Sequence, residues 1–379
     1  MKFQTKALHT GVEVDPITGA SSVPIYQAST FHQEEFDSTQ EFDYARSGNP
    51  TRKALEHIIA ELEGANYGFA FASGMAAITG VLLTLSSGSH VVACEDIYGG
   101  SFRALTRVFS RLGIQTAFVD ASDLDKIDSA IRPETKMLLL ETPSNPTLKI
   151  IDLKGAAEIA KRKGVITVVD NTFMSPFLQR PHESGIDVVV HSGTKFLGGH
   201  SDVVAGLVTV RDEALAKEIY LIQNGFGGVL GPQDCWLLMR GIKTLPVRMT
   251  QSQQTAGVLA NYLAAHPKIK KVYYPGLDEH PGGKIHLQQA DGPGAVLSFE
   301  LDDAEAVRRF VKDLQLPMFA VSLGGVESIL SYPVKMSHAA MPEPERLIRG
   351  INGGLLRFSA GLESPEDLIE DIEQALKGI

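Results

Sequence analysis

The sequence has little cysteine, no excess of positive charge and no long apolar run, and each shortage removes a class of protein. Only two cysteines occur among the 379 residues, Cys94 and Cys235. They follow neither a metal-binding nor a redox spacing, so we expect two small buried side chains and no disulfide. Acidic residues number 45 against 35 basic ones, a formal net charge of −10. We therefore expect no broad basic face for nucleic acid or anionic lipid.

Motifs of several large enzyme classes are also missing. The chain has no P-loop, no G-x-S-x-G turn, no H-E-x-x-H pair and no paired C-x-x-C, and GFGGVLG at 225–231 lacks the spacing of a dinucleotide fingerprint. No apolar run has membrane-spanning length, and MKFQTKALHT lacks the apolar centre of a signal peptide. These absences argue against a hydrolase, a metalloenzyme or a membrane partner, and they predict a soluble cytoplasmic protein.

The composition suits a large folded protein, because 44% of the residues are hydrophobic and only 21% are charged. Apolar runs alternate with helical patterns between about residues 65 and 210. The strand candidates are HVVAC, QTAFVD, KMLLLE, VITVVD, DVVVH and AGLVTV, and the helices between them include Ser101–Leu112, Leu124–Ile131 and Leu153–Lys163. This alternation predicts an α/β domain whose mostly parallel sheet is wrapped by helices.

The pattern changes in the last third of the chain. The stretches GAVLSFEL, MFAVSL and LLRFSAG are strand candidates, and a final helix is expected near Pro365–Leu376 with Ser364 as its cap. Residues 1–50 carry little periodicity. We therefore predict an extended arm over residues 1–50, a large α/β domain over 51–245 and a smaller α+β domain over 246–379.

The stretch DVVVHSGTKFLGGHSD, at 187–202, places a lysine where ligands bind. Asp187–Val190 has the β-branched run of a buried strand, so Lys195 lies just past the carboxyl end of that strand. Open α/β sheets bind ligands at this edge. The strand VITVVD ends at Asp170 and places a carboxylate at the same edge.

Ser73, Gly74 and Met75 open a helix of small and apolar residues. Free N–H groups at a helix start suit a phosphate. Taken singly, these features describe a surface lysine, a turn-forming aspartate and a helix cap. Together they provide an amine for a Schiff base, a partner for a pyridinium nitrogen and a phosphate anchor, which predicts a site for pyridoxal 5'-phosphate (PLP).

Several stretches, in the right order, resemble one family. They are YARSGNPTR, FASGMAAI, DIYGGSFR, ETPSNP, VVDNTF, DVVVHSGTKFLGGHSD and AVSLGGVESIL. The chain resembles the Cys/Met-metabolism family of PLP-dependent enzymes along almost its whole length. The resemblance implies the PLP-dependent transferase fold, of fold type I and like that of aspartate aminotransferase, with a sheet of the seven-stranded type.

The resemblance also implies roles for individual residues. Lys195 would hold the cofactor as a Schiff base and then shuttle the α proton of the substrate. Asp170 would pair with the pyridinium nitrogen, and Tyr98 would stack on the ring and take part in proton transfer. The phosphate would be held by Gly74, Met75, Ser192 and Thr194.

Other implied roles concern the partner subunit and the substrate. Tyr44 and Arg46 would reach the phosphate of the neighbouring subunit, which implies a homodimer with shared sites and usually a homotetramer. The substrate's α-carboxylate would be bound by Asn145, Ser322 and Arg357. Outside these motifs, the same side chains would be ordinary surface, core or turn residues.

Two positions bear on the reaction. Val321 stands where γ-synthases and γ-lyases of the family usually have glutamate, and Gly100 stands where methionine γ-lyases usually have cysteine. The sequence of residues 319–342 most resembles the corresponding stretch of bacterial β-lyases of methionine biosynthesis. The resemblance therefore implies β-elimination of L-cystathionine to homocysteine, pyruvate and ammonia. The alternatives are γ-elimination, γ-replacement, a non-catalytic ligand-binding protein on the same fold, and a lysine Schiff-base enzyme that needs no cofactor.

Overall fold

The structure is a computed structural model that describes residues 1–11, 14–37 and 39–379. Its α-helices are α1 Phe3–His9, α2 Pro50–Glu63, α3 Gly74–Leu82, α4 Gly99–Arg107, α5 Leu124–Ala130, α6 Leu153–Lys163, α7 Ser175–Leu178, α8 Glu213–Phe226, α9 Pro232–Ile242, α10 Leu245–Ala265, α11 Gly283–Gln289, α12 Ala304–Asp313, α13 Glu343–Ile348 and α14 Pro365–Lys377. Its strands are β1 Tyr67–Phe71, β2 His90–Cys94, β3 Gln115–Val119, β4 Thr135–Glu141, β5 Ile166–Asp170, β6 Val188–Ser192, β7 Gly206–Val210, β8 Lys271–Tyr273, β9 Val296–Glu300, β10 Met318–Phe319, β11 Ile329–Ser331 and β12 Leu355–Ser359.

The larger sheet has seven strands in the order β1-β7-β6-β5-β4-β2-β3. Strands β2 to β6 run parallel, whereas β7 is antiparallel to both of its neighbours, β6 and β1. The predicted mostly parallel sheet is therefore confirmed. The apolar pattern showed neither the reversed direction of β7 nor the strand β1.

The centre of this sheet is apolar on both faces, as the valine runs predict. Val168 and Val169 of β5 and Val188, Val189 and Val190 of β6 are at most 1% exposed. Burial on both faces is typical of parallel strands covered by helices. The parallel arrangement brings the carboxyl ends of β4, β5 and β6 to one edge, where Asp170 pairs with Val190 of β6.

A second sheet of five strands has the order β10-β11-β12-β9-β8. Its core includes Leu259 of α10, Phe299 of β9, Phe310 of α12 and Leu356 of β12. The strand expected from MFAVSL is shorter than predicted and covers only Met318 and Phe319, and the backbone has left the extended conformation at Ser322, where φ is 92°.

The final helix begins at Pro365 with Ser364 at its N-cap position, as expected, but the side chain of Ser364 does not cap the helix. The hydroxyl group of Ser364 donates to Glu366 Oε2 at 2.6 Å and makes no capping bond to a backbone N–H group.

The arm begins with a helix, α1, which the sequence did not indicate. Ala7 of α1 is buried in the same apolar cluster as Leu55 of α2. The remaining described part of residues 14–49 has no regular helix or strand. It is tied to α2 by Asn49, whose side-chain amide donates to the carbonyl of Tyr26 at 2.8 Å.

Asn49 also caps α2. Its Oδ1 accepts from the backbone N–H groups of Thr51 and Arg52 at 2.9 Å and 3.2 Å. An Asn at this position followed by Pro50 at the first turn is a strong helix start. Asn49 therefore both starts α2 and holds the arm against it, and Thr51 adds a hydrogen bond from its hydroxyl to the carbonyl of Pro24 at 2.7 Å.

The expectations for cysteine are confirmed, since Cys94 and Cys235 are both buried and free. None of the helices in the described residues combines the length and apolar character needed to cross a bilayer. The expected domain boundary at residues 245 and 246 falls at the first residue of α10, and the division into an arm and two domains stays a prediction.

Candidate active site

A cavity of about 460 Å³ lies at the carboxyl edge of the large sheet, between that sheet and residues of the second one. Nearly all the side chains and glycines singled out in the sequence line it. They are Gly74, Met75, Tyr98, Asn145, Asp170, Ser192, Thr194, Lys195, Ser322 and Arg357. Residues more than 280 positions apart in sequence thus share one small volume.

Lys195 follows β6 and is largely shielded from water. Its Nζ donates to Ser322 Oγ at 2.6 Å. Burial lowers the pKa of Lys195 to about 8, with the Arg357 guanidinium acting in the same direction and Asp170 opposing it. A lysine with this pKa has a substantial neutral fraction near physiological pH, which a nucleophile or a general base requires.

Asp170 ends β5 and is only 9% exposed. It accepts from the backbone N–H of Thr172 at 3.1 Å and from the hydroxyl of the same residue. Burial raises the pKa of Asp170, whereas the bonds from Thr172 and the nearby His191 and Lys195 lower it. A buried carboxylate with these partners suits a cationic group such as a protonated ring nitrogen.

The start of α3 adjoins the end of β6. Ser73 caps the helix, since its Oγ accepts from the backbone N–H of Ala76 at 3.0 Å. A Cβ atom at Gly74 would lie 2.9 Å from Ser192 Cβ, so glycine is needed for this close approach. The first N–H groups of the helix therefore lie beside a serine hydroxyl, a donor set that fits a phosphate.

Thr194, the other hydroxyl expected at the phosphate, is engaged with the neighbouring backbone. Its Oγ1 donates to the carbonyl of Ala205 at 3.3 Å and accepts from the N–H of the same residue at 3.0 Å. This pair of bonds holds the turn after β6 against the start of β7. The turn positions Lys195, the next residue.

Arg357 of β12 faces the cavity from the second sheet and is 3% exposed. Its Nη1 donates to Asn145 Oδ1 at 2.9 Å, and its Nη2 donates to the carbonyl of Ser322 at 2.6 Å. Its Nε has no hydrogen-bond partner among the described residues. Burial lowers the pKa of Arg357 to about 10, which leaves a cation at neutral pH, and this buried cation suits a carboxylate.

Tyr98 precedes α4 and its ring is 38% exposed at the cavity. Its backbone N–H donates to Glu141 Oε2 at 2.8 Å. A Cβ atom at Gly100 would lie 2.4 Å from Tyr98 Cε1. Gly100 therefore leaves room for the ring of Tyr98 in this position.

Tyr44 and Arg46 do not line the cavity. Both are exposed, and Arg46 Nη1 donates to the backbone carbonyl of Asn224 at 2.6 Å and to its side-chain oxygen at 2.9 Å. The guanidinium of Arg46 lies over the ring of Tyr44 at 5.6 Å. Within one chain these two residues are separate from the site.

A buried polar cluster lies behind the cavity. Asn171 and His191, next to Asp170 and Ser192 in sequence, both contact Glu63 Oε1 of α2, at 3.0 Å and 2.6 Å. All three side chains are fully buried. The strands that carry the site are thereby joined to α2 through polar contacts.

Several cavity residues were not recognised from the sequence, among them Glu141, Arg103 and Thr172. Thr172 follows Asp170 by two positions, the spacing at which a hydroxyl reaches back to an aspartate. Glu141 ends a strand as Asp170 does, and that shared position was the available signal. Arg103 is exposed on α4, and no sequence pattern distinguishes it from a surface arginine.

The cavity fits PLP on the chemistry of its donors. It offers an amine of lowered pKa, a buried carboxyl group, a helix start beside a serine hydroxyl, and an aromatic ring. Arg357 adds a buried cation for an acidic substrate.

Comparisons with known proteins give consistent matches. The model of a family described as Cys/Met metabolism PLP-dependent enzyme matches residues 4–377. The cystathionine beta-lyase MetC of Bacillus subtilis (strain 168) is 56% identical over 377 residues, covering 100% of this chain and 97% of that protein. The cystathionine gamma-lyase of the same organism is 50% identical over 379 residues, covering 100% of both.

A solved structure also matches the chain over its whole length. The cystathionine gamma-lyase from Lactobacillus plantarum complexed with L-serine superposes with a TM-score of 0.97 at 44% identity, covering 100% of this chain and 99% of that one. A match of this quality over both sheets confirms the predicted fold class.

Proposed function

Because the chain belongs to the Cys/Met-metabolism family of PLP-dependent enzymes, we propose that it is a carbon–sulfur lyase that splits L-cystathionine by β-elimination. The products are homocysteine, pyruvate and ammonia. The observation that carries the proposal is one cavity in which the Lys195 amine and the buried cation of Arg357 converge with Asp170. The 56% identity to a cystathionine β-lyase over the whole chain supports the choice of substrate.

Bound PLP supplies an electron sink for negative charge at the substrate's α carbon. Asp170 would bind its ring nitrogen and Tyr98 would stack on its ring. The phosphate would be bound by Gly74 and Met75 at the start of α3 together with Ser192 and Thr194.

Arg357 binds and orients the substrate. Asn145 Oδ1 and the carbonyl of Ser322 fix two of its nitrogens, so the guanidinium is held in one orientation before the substrate enters. A fixed, buried guanidinium can accept a carboxylate with little loss of side-chain freedom. The substrate's α-carboxylate therefore binds here, and this contact orients the substrate so that its α proton faces Lys195.

Lys195 moves the proton. Its amine is neutral in part near pH 8 because burial lowers its pKa to about 8, and the bond from Nζ to Ser322 Oγ fixes its direction. It accepts the α proton as a general base. The departing thiolate then takes a proton from the Lys195 ammonium or from the Tyr98 hydroxyl, both of which line the cavity.

γ-Elimination is the second candidate function. The Bacillus subtilis cystathionine gamma-lyase is 50% identical to the chain, and the Lactobacillus plantarum one has a TM-score of 0.97. Val321 favours β-elimination, because this cavity residue is apolar and 64% exposed where γ-specific relatives are expected to have a carboxylate.

Product identification with L-cystathionine tests the reaction. Pyruvate with homocysteine is expected. Release of 2-oxobutyrate with cysteine would contradict β-elimination and establish γ-elimination. If cofactor-loaded protein forms none of these products, the chain is not a cystathionine lyase, and γ-replacement on activated homoserine is the reaction to assay.

The variant Lys195→Ala tests the role of the lysine. It is expected to lower kcat by at least about 10²-fold, because general acid–base catalysis contributes that much or more. The wild-type protein is expected to be yellow, and borohydride is expected to fix the cofactor to Lys195. Protein that stays colourless with added PLP would contradict the assigned site.

We also propose that Tyr44 and Arg46 complete the site of a second copy of the chain in a homo-oligomer. Both are exposed and lie outside their own cavity. Asn224, which contacts Arg46, lies on α8 near Leu221 and Phe226, which are 61% and 73% exposed. An apolar surface beside the two residues is consistent with a covering subunit.

A further inference from the structure

Glu141 is a second acid in the cavity, and neither the sequence motifs nor the proposed function gives it a role. It is the last residue of β4, it is 5% exposed, and it lines the cavity together with Asp170, Tyr98 and Arg357. No lysine or arginine of the described residues forms an ion pair with Glu141, and a buried glutamate without such a partner needs a physical explanation.

The register of the sheet places Glu141 directly beside Asp170. The two residues pair across β4 and β5, and paired residues of neighbouring strands direct their side chains to the same face. Two ionised carboxylates at one buried site repel, so one of them is driven to hold a proton. Burial, and secondly Asp170, raise the pKa of Glu141 well above its ordinary value.

The groups around Glu141 are mostly acidic or neutral. On its β2 side are the Cys94 thiol, at the end of that strand, and the Asp96 carboxyl group, two residues further on, and Asp96 raises the pKa of Glu141 further. Arg357, from β12, is the opposing cation. It already donates to Asn145, Ser322 and Ser331, and the substrate's α-carboxylate would take up more of its charge.

The one hydrogen bond to the Glu141 carboxyl group among the described residues comes from the backbone N–H of Tyr98, at 2.8 Å. This bond fixes the backbone of Tyr98, at the start of α4. A protonated carboxyl group can accept this bond through one oxygen and keep the other as a donor toward the cavity.

We propose that Glu141 is a positioning residue that works in its neutral, protonated form. It anchors Tyr98 through the backbone and leaves Asp170 as the one carboxylate among the described side chains that line the cavity. Two adjacent carboxyl groups then have different tasks, because their environments favour different protonation states. The inference rests on the proposed function where it takes Asp170 as the partner of the ring nitrogen.

Three variants of the holoenzyme test this assignment. Glu141→Gln is a neutral isostere that keeps an acceptor for Tyr98, and Glu141→Leu removes the acceptor. Glu95→Gln is the matched control, since the Glu95 carboxylate is paired with Lys149 Nζ at 2.8 Å and does not line the cavity. The measurements are infrared difference spectra of protonated carboxyl groups, the pH titration of the cofactor's visible band, and kcat.

The expected infrared result is a protonated-carboxyl band that Glu141→Gln loses and Glu95→Gln keeps. The titration midpoint of the cofactor band should be the same in Glu141→Gln and the wild type. Glu141→Leu should lower kcat about tenfold or more, because a buried N–H group loses its partner, and Glu141→Gln should not.

Two results would overturn the assignment. One is the absence of a band that depends on Glu141. The other is a midpoint about 1–3 pH units lower in Glu141→Gln, the effect of removing a nearby negative charge. If Glu141→Leu does not fold, the Glu141→Gln spectra decide alone. The infrared comparison is repeated on cofactor-free protein, so the protonation state of Glu141 can be determined even if the proposed function is wrong.

Discussion

The two side chains at the centre of the site lie at one edge of the large sheet, Asp170 as the last residue of β5 and Lys195 three residues after β6. Both positions were predictable, because the buried strands β5 and β6 are readable from their valine runs. Glu141 was not recognised, because its significance depends on the register that pairs it with Asp170. Register is set by the packing of whole strands and is not written in a short motif. Ser322 was named through the resemblance as a substrate-binding residue, but no local pattern indicates its φ of 92° or the hydrogen bond that it accepts from Lys195 Nζ.

The lowered pKa of Lys195 links protonation to the stability of cofactor-free protein. Its pKa is about 8 in the folded chain against an ordinary 10.5, chiefly because of burial. Between these values the unfolded chain binds a proton that the folded chain does not bind. The free energy of unfolding of the wild type should therefore rise with pH, relative to Lys195→Met, from about pH 8 to 10.5.

Urea denaturation of the two cofactor-free proteins across this range measures the effect. Below about pH 8 both states of the wild type hold the proton, so the difference between the proteins should be constant there. A difference that stays flat up to pH 10.5 would show that the folded state does not depress the pKa of Lys195.

Among the elements, several with a readable hydrophobic period were predicted, although the long helices α2, α8 and α9 were not. Helix α6 was expected over Leu153–Lys163 and has those bounds. Strands β8 and β11 have three residues each and α1 has seven, and no hydrophobic period is readable over such lengths. These short elements depend on tertiary contacts, such as the packing of Ala7 against the α2 cluster.

The start of α2 allows a test at the level of an element. Asn49→Ala removes the acceptor for two backbone N–H groups and should lower the free energy of unfolding by about 1 kcal/mol. Asn49→Asp keeps the acceptor but loses the amide donor to the Tyr26 carbonyl. The denaturation midpoint of Asn49→Asp should fall between those of Asn49→Ala and the wild type; equal midpoints for both variants would mean that the cap contributes nothing.

The whole molecule is divided between two sheets, and the cavity needs both of them. The large sheet carries Lys195 and Asp170, and the second sheet carries Arg357. The sequence indicated both sheets from their strand patterns. Their mutual placement could not be predicted, because it depends on packing between residues such as Phe173 and Val296 that lie far apart in sequence.

Mixing two inactive variants tests whether sites are shared between subunits. Lys195→Ala and Arg46→Ala should each lose most activity alone. After unfolding and refolding together in equal amounts, they should regain about a quarter of the wild-type activity, since half of the dimers are hybrids with one intact site of two. A mixture that stays inactive would place Arg46 in the site of its own chain.

The buried contacts of Glu63 with Asn171 and His191 have a consequence for how this protein can change. Loss of Glu63 removes the buried partner of His191 Nε2 and one of the two acceptors of the Asn171 amide, whereas joint replacement of a buried polar group and its partners by apolar residues of matching shape is tolerated far better. Substitutions at these positions are therefore strongly interdependent, and an evolving lineage would exchange them as a set. A chimaera that takes α2 from one relative and the strands from another should be built with all three positions from a single parent.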